Sequence, residues 1–272
     1  MLVKLNHNIQ QVYRPFQPWA MHGVPDVTYR EFLPSPLFGK YILCYWLLES
    51  TVPLAEHYDY GVVADGCIDV FYNLQNPEDS TVMGLSERFV SFELGNFFSY
   101  AGLRFRPAAF PHLFNIDASE LTGKAEALKD IYPQFAQLIC TEFKQRKAGI
   151  DIAALFDQCM MRLFQKIDPK TEDPRLHFAI ERIFNASGNI RVEKDLDTGF
   201  SPRNLQRLFN FYIGAAPKVF SNIVRFQHML QFCPKTKAIV PNTHFATAGY
   251  YDQAHFIKDF KRFYGKNPGE VF

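Results

Sequence analysis

The 272-residue sequence predicts an α+β protein of two domains: a β-rich, barrel-like N-terminal domain with helices after it, and an all-α C-terminal domain containing a tandem repeat. Three observations carry this. Short runs rich in aromatic and β-branched residues fill the chain from Lys40 to Pro107. From Pro133 onward the apolar residues recur at helical spacing. Within that helical stretch, "KIDPKTEDPR" (Lys166 to Arg175) has two prolines among charged residues and no apolar period, which reads as a linker between the domains. With 47% hydrophobic and 16% aromatic residues, the chain can fill a core in each part.

The elements follow in order. "KYILCYWLLEST" (Lys40 to Thr51), "CIDVFYNL" (Cys67 to Leu74), "RFVSFEL" (Arg88 to Leu94) and "FFSYAGLRFRP" (Phe97 to Pro107) are predicted strands. Two amphipathic helices come next, with Phe135, Leu138, Ile139 and Phe143 on one face, then Ile152, Leu155, Phe156, Met160 and Leu163. These faces are expected to pack on the sheet, with a dimer contact as the alternative. The predicted boundaries are 1–167 for the β-rich part, 168–174 for the linker and 175–272 for the helical part.

In the helical part, Leu176, Ile180 and Ile183 mark a helix that ends at "SGN". A short helix near Val192 to Asp197 and the turn "TGFSP" lead into "RNLQRLFNFYIG", where Ser201 and Pro202 make a strong helix start. A long helix over 217–232 places Val219, Ile223, Phe226 and Leu230 on one face. A second short helix is expected near Thr243 to Ala248, then Gly249 and a helix from about Asp252 to Tyr264. "TGFSPRNLQRLFNFYIGAAPKVF" and "AGYYDQAHFIKDFKRFYGKNPGEVF" share one template, pairing Gly199 with Gly249, Ser201 with Tyr251, Gly214 with Gly265 and Pro217 with Pro268, and Phe209 with Phe260 offset by one. Two helix-turn-helix units result, at about 190–213 and 243–264, with Gly249 supplying the second turn.

Charge divides with the domains. From Arg175 onward there are 14 Lys and Arg against 7 Asp and Glu, and before it 15 against 21. The positive excess sits where an electrostatic footprint on nucleic acid would need it, although a solvated surface has the same composition. The five cysteines, Cys44, Cys67, Cys140, Cys159 and Cys233, stand singly and read as reduced thiols. No cofactor motif, Gly-rich phosphate loop or nucleophile motif is present, and His57 and His112 lack metal-ligand spacing, so a cupin-type enzyme is the weaker alternative. No apolar run reaches signal-peptide or membrane-span length, which predicts a cytoplasmic protein.

"SPRNLQRLFNFYIGAAPKVFSNIVRFQ" and "GYYDQAHFIKDFKRFYGKNPGEVF" resemble the DNA-binding domain of AraC/XylS-family transcriptional regulators, over roughly Leu176 to Phe272. "PSPLFGKYILCYW", "DGCIDVFYNL" and "GLRFRPAAFPHLF" are similar to the β-rich, cupin-like domain of a subset of that family. The resemblance implies double-stranded DNA as partner, two recognition helices in successive major grooves, and an N-terminal domain that binds a small effector or mediates dimerisation. It assigns base contacts to Arg203, Gln206 and Arg207 in the first unit and Gln253, Ala254 and Lys258 in the second, with Asn204, His255 and Lys261 on the same surfaces. Arg and Lys suit guanine, Gln suits adenine, and Ala254 offers a methyl contact. His255 is read as packing or capping its helix.

Two departures accompany this resemblance. Where relatives place alanine four residues before the turn glycine, this chain has Asp195 and Phe245, with Ala246 one residue late. A buried unpaired carboxylate at Asp195 would be costly, so that helix is expected to be shifted, frayed or salt-bridged. A degenerate unit serving as a protein-interaction module is the corresponding alternative.

In the N-terminal domain the candidate effector residues are Trp46, Tyr72, Tyr100, Arg104 and Arg106. Strand alternation would place both arginines of "LRFRP" on one face, directed either inward to an anionic ligand or outward to solvent.

Overall fold

The computed structural model describes residues 13–20, 24–144, 151–169, 171–232 and 249–271. Among the described residues, eight strands build the N-terminal part: β1 (Val27–Phe32), β2 (Ile42–Ser50), β3 (Asp59–Val62), β4 (Ile68–Asn73), β5 (Asn76–Met83), β6 (Val90–Glu93), β7 (Ser99–Phe105) and β8 (Ala125–Ala127). Six pair antiparallel in the order β1-β2-β7-β4-β5-β8, and β3 and β6 form a separate two-stranded ribbon. The expected barrel is therefore corrected to an open sheet. Its edges, β1 and the three-residue β8, do not meet, because helices and ribbon bury the two faces without closure.

Side-chain alternation sorts the sheet into two layers. Tyr45, Leu47, Ile68, Val70, Tyr72, Ala101, Leu103 and Phe105 point into a core shared with the helices. Those helices are α1 (Ala109–Phe114), α2 (Ala118–Leu121), α3 (Leu128–Ile131), α4 (Pro133–Lys144) and α5 (Ile152–Phe164). All nine apolar residues predicted on α4 and α5 are buried there. Tyr45 stacks on Phe156 at 4.9 Å between ring centroids, and its hydroxyl donates to Asp157 at 2.8 Å. The alternate positions Cys44, Trp46, Leu48, Asp69, Phe71, Tyr100 and Arg104 face the ribbon.

The C-terminal part contains α6 (Pro174–Asn185), α7 (Val192–Asp195), α8 (Pro202–Ile213), α9 (Pro217–Phe232), α10 (Gln253–Tyr264) and α11 (Pro268–Val271). The last two residues of the predicted linker segment start α6: Asp173 caps that helix by accepting from Arg175 N at 2.9 Å, and Pro174 opens it. Ser201 caps α8 by accepting from Asn204 N at 3.3 Å. The cap of α10 is Asp252, accepting from His255 N at 2.7 Å, and not Tyr251, whose side chain is 92% exposed.

This correction restores the repeat. Ser201, Phe209, Gly214 and Pro217 now match Asp252, Phe260, Gly265 and Pro268 at identical spacings, and the one-residue difference moves into the turn after Gly249. Gly214 and Gly265 close their helices at φ 87° and 86°, a conformation that a Cβ would strain. The short helix expected near Thr243 to Ala248, with Phe245 and Ala246, lies outside the described residues, as does Cys233.

The two parts share a core. Tyr13, Val63, Ala64 and Leu85 pack among Leu176, Ile183, Phe209, Phe220, Phe226 and Phe263. Polar contacts fix the same boundary: Gln227 is fully buried, its Nε2 donates to Ala64 O at 2.7 Å, and its Oε1 accepts from Phe16 N at 2.7 Å. Arg262 at the end of α10 bonds Glu87 at 3.0 Å, and Thr122 donates to Gly214 O at 2.7 Å.

Candidate nucleic-acid interface and effector cavity

Amphipathicity sets the outer face of each recognition helix. In α8, Leu205, Phe209 and Ile213 are buried, which leaves Arg203, Asn204, Gln206 and Arg207 exposed. In α10, Phe256, Phe260 and Phe263 are buried, which leaves Gln253, Ala254, Lys258 and Lys261 exposed. The side chains of Arg203, Arg207, Lys258 and Lys261 make no hydrogen bond or ion pair among the described residues, so their charges are available to a partner. His255 is half-buried. Its ring stands edge-on to Tyr250 at 5.5 Å and its Nε2 lies 3.4 Å from Asp259, an inward set of contacts.

With the caps aligned, Arg203 corresponds to Ala254, Arg207 to Lys258 and Gln206 to Ile257. Ile257, 38% exposed on the outer face, is absent from the contacts that the resemblance assigns, yet the cap alignment sets it opposite Gln206. The signal that finds it is the distance from cap to helix-ending glycine.

Asp195 is half-buried and paired: it accepts from Arg191 N at 2.7 Å and from the Arg191 guanidinium at 3.4 Å. These hydrogen bonds hold its carboxyl below the usual range. Helix α7 is a single turn with no buried residue, so the carboxylate needs no apolar site.

The N-terminal sheet encloses a cavity of about 330 Å³ beneath the β3–β6 ribbon. Trp46, Tyr100 and Arg104 line it; Tyr72 and Arg106 do not. Tyr72 lies on the helix side of β4, against Phe143 at 4.3 Å. Strand β7 ends at Phe105, so alternation fails for Arg106, which turns away, donates to Gly39 O at 2.7 Å and lines a cleft with Lys40, Asp173 and Tyr212.

Arg104 is 4% exposed and bonds both Asp69 oxygens at 3.0 Å, with Asp65 3.4 Å away. Burial alone would lower its pKa, but Asp69 and Asp65 more than offset that and hold it well above the ordinary value. Burial raises Asp69 from 3.8 to about 6, with Asp65 adding to the shift and Arg104 opposing it. A carboxyl whose folded pKa is raised binds its proton more tightly when folded, so stability falls as pH rises from 3.8 through about 6. Urea unfolding should therefore show the native chain losing stability relative to Asp69→Asn across that window; parallel pH profiles would contradict the shift.

A polar strap leaves this cavity for the helices. Asp65, beside Arg104, accepts from Gln17 Nε2 at 2.8 Å, and its backbone carbonyl accepts from the Tyr13 hydroxyl at 2.5 Å. Gln17 also pairs with the Val63 backbone, with both contacts at 3.0 Å. The adjacent Phe16 and Ala64 hold Gln227 on α9, so the strap ends on the helix joining the two recognition units.

Helix α7, the turn through Gly199 and α8 form a helix-turn-helix, and α10 presents a second outward helix with unpaired basic side chains. Residues 197–272 match the family described as a helix-turn-helix domain, and residues 30–126 match a domain of unknown function, DUF6597. A curated relative, the HTH-type transcriptional regulator GlxA of Rhizobium meliloti (strain 1021), is 26% identical over 180 residues, 60% of this chain and 54% of its own length. The chain thus spans about half the length of that relative. Crystal structures of ToxT from Vibrio cholerae were also found. An apo variant of strain SCE256 has a TM-score of 0.44 at 12% identity, covering 83% of this chain and 96% of that one. ToxT of strain O395 has 0.39 at 11%, covering 90% and 95%. The C-terminal part of this chain thus carries a helix-turn-helix domain over residues 197–272, similar to part of a curated transcriptional regulator.

Proposed function

We propose that this chain is a sequence-specific DNA-binding transcriptional regulator in which α8 and α10 read bases, and in which the N-terminal part, about 1–167, answers to a small effector or to dimerisation. Residues 168–174 act as the connector and 175–272 as the DNA-binding part. The observation that carries the reading is the matched pair of outer faces: Arg203, Gln206 and Arg207 on one helix and Ala254, Ile257 and Lys258 on the other, exposed at equivalent distances from their caps, with Gln253 exposed beside them. Arginine and lysine donate to guanine edges, glutamine pairs with adenine, and Ala254 and Ile257 offer apolar contact to thymine methyls. The strap through Gln17 and Gln227 supports control by the N-terminal part, because it joins the cavity wall to the helix between the two readers.

Fluorescence anisotropy on duplexes tiled across the upstream region of the gene is the test. Tight binding to one tile, weakening steeply as salt rises because phosphate contacts release counterions, is the expected result. Uniform weak binding on every tile would instead favour the protein-interaction module.

A further inference from the structure

We propose that the sheet cavity takes an organic cation, an ammonium group carrying a neutral hydrogen-bond acceptor such as a hydroxyl. This rests on the regulator reading above and names the class of its effector. The walls supply the first argument. Tyr29, Trp46, Tyr60, Phe71, Phe92 and Tyr100 all line the cavity, and aromatic faces attract a desolvated cation through their quadrupoles.

Charge supplies the second argument. Among the described residues that line it, Arg104 is the one base, against Asp69, Asp79, Glu93 and Glu126. Its guanidinium is already matched by Asp69 at 3.0 Å and Asp65 at 3.4 Å, with Glu31 3.9 Å away. An anionic ligand would bring a fourth carboxylate to one buried guanidinium; a cation would meet uncompensated negative charge. At the mouth, Asp79, Glu93 and Glu126 are exposed, with His57 Nδ1 2.5 Å from Glu93. The inward arginine expected to hold an anion therefore serves the opposite polarity.

The third argument is a group left without an acceptor. Arg104 Nη1 is buried and makes no hydrogen bond, although the side chain is 4% exposed. A buried donor without an acceptor is costly, so a ligand bringing a neutral oxygen is favoured there.

Calorimetry on the full chain tests this with three probes of one shape: choline, its uncharged isostere 3,3-dimethylbutan-1-ol, and the anion 3,3-dimethylbutanoate. Choline should bind about tenfold or more tighter than the alcohol, and the anion should not bind, as cation–π and charge matching require. Phe71→Leu should weaken choline, and the exposed pair Asp79→Asn with Glu126→Gln, which leaves the fold intact, should weaken choline while sparing the alcohol. Equal binding of choline and alcohol, preference for the anion, or no binding of choline to the folded chain would each overturn the proposal. DNA anisotropy on the same preparation separates the two readings. Lost choline binding with DNA binding intact removes only the cation, whereas choline binding without DNA binding removes only the regulator.

Discussion

Replacing Arg225 with methionine is expected to destabilise the chain by about 3–5 kcal/mol, the cost of breaking a buried ion pair from one side. Arg225 is 5% exposed and ties α9 to the second recognition unit. Its Nη2 lies 3.3 Å from Asp259 on α10, its Nη1 donates to Gly249 O at 3.2 Å, and its guanidinium carbon sits 4.2 Å over the Tyr250 ring. Methionine keeps much of the volume and removes the charge. Asp259, itself 8% exposed, would then be a buried carboxylate without its cation, and the Gly249 carbonyl would lose its donor. Urea unfolding measures the loss, and Asp259→Leu added to the methionine variant should recover most of it. A cost below about 1 kcal/mol would mean that another group, such as the neighbouring His255, takes over Asp259.

Arg207→Ala should weaken binding to the preferred duplex by about 1–3 kcal/mol, the worth of a bidentate contact to guanine, and should relax preference at that base pair. The side chain is exposed and unpaired, so the unfolding midpoint should stay unchanged. Lys261→Ala provides the contrast. It should weaken all duplexes alike and lower the salt slope by about one, as loss of a phosphate contact does. Anisotropy titrations at several salt concentrations distinguish the two, and an Arg207 variant that behaves like the Lys261 variant would reassign Arg207 to the phosphates.

The helical part was legible because its signals are local. Ser201, Pro202, Gly214, Gly265 and Pro268 mark helix ends through backbone chemistry that needs no distant partner. The one slip, Tyr251 as cap, came from counting from Gly249 across a turn one residue longer than the first. In the sheet, β2, β4, β6 and β7 read correctly, but β5 is spelled "NPEDSTVM", whose Pro, Glu and Asp argue against a strand, and β3 has only four residues. Missing β3 hid the ribbon, and with it the cavity roof from Tyr60 to Phe92. Tyr72 and Arg106 were misplaced for a related reason: which face of a strand is covered by helices, and where the strand stops, are decided by tertiary pairing. Asp195 shows local rescue instead, since a carboxylate four residues after Arg191 can cap its own helical turn.

The strap from Arg104 through Asp65 and Gln17 to the Val63–Ala64 backbone and Gln227 has a thermodynamic consequence. If an occupied cavity shifts this strap and thereby multiplies the affinity of α8 and α10 for an operator by some factor, the operator must multiply the affinity of the cavity for its ligand by the same factor. The cavity measured on free protein and the cavity measured on DNA would then be two different receptors, separated by one coupling free energy.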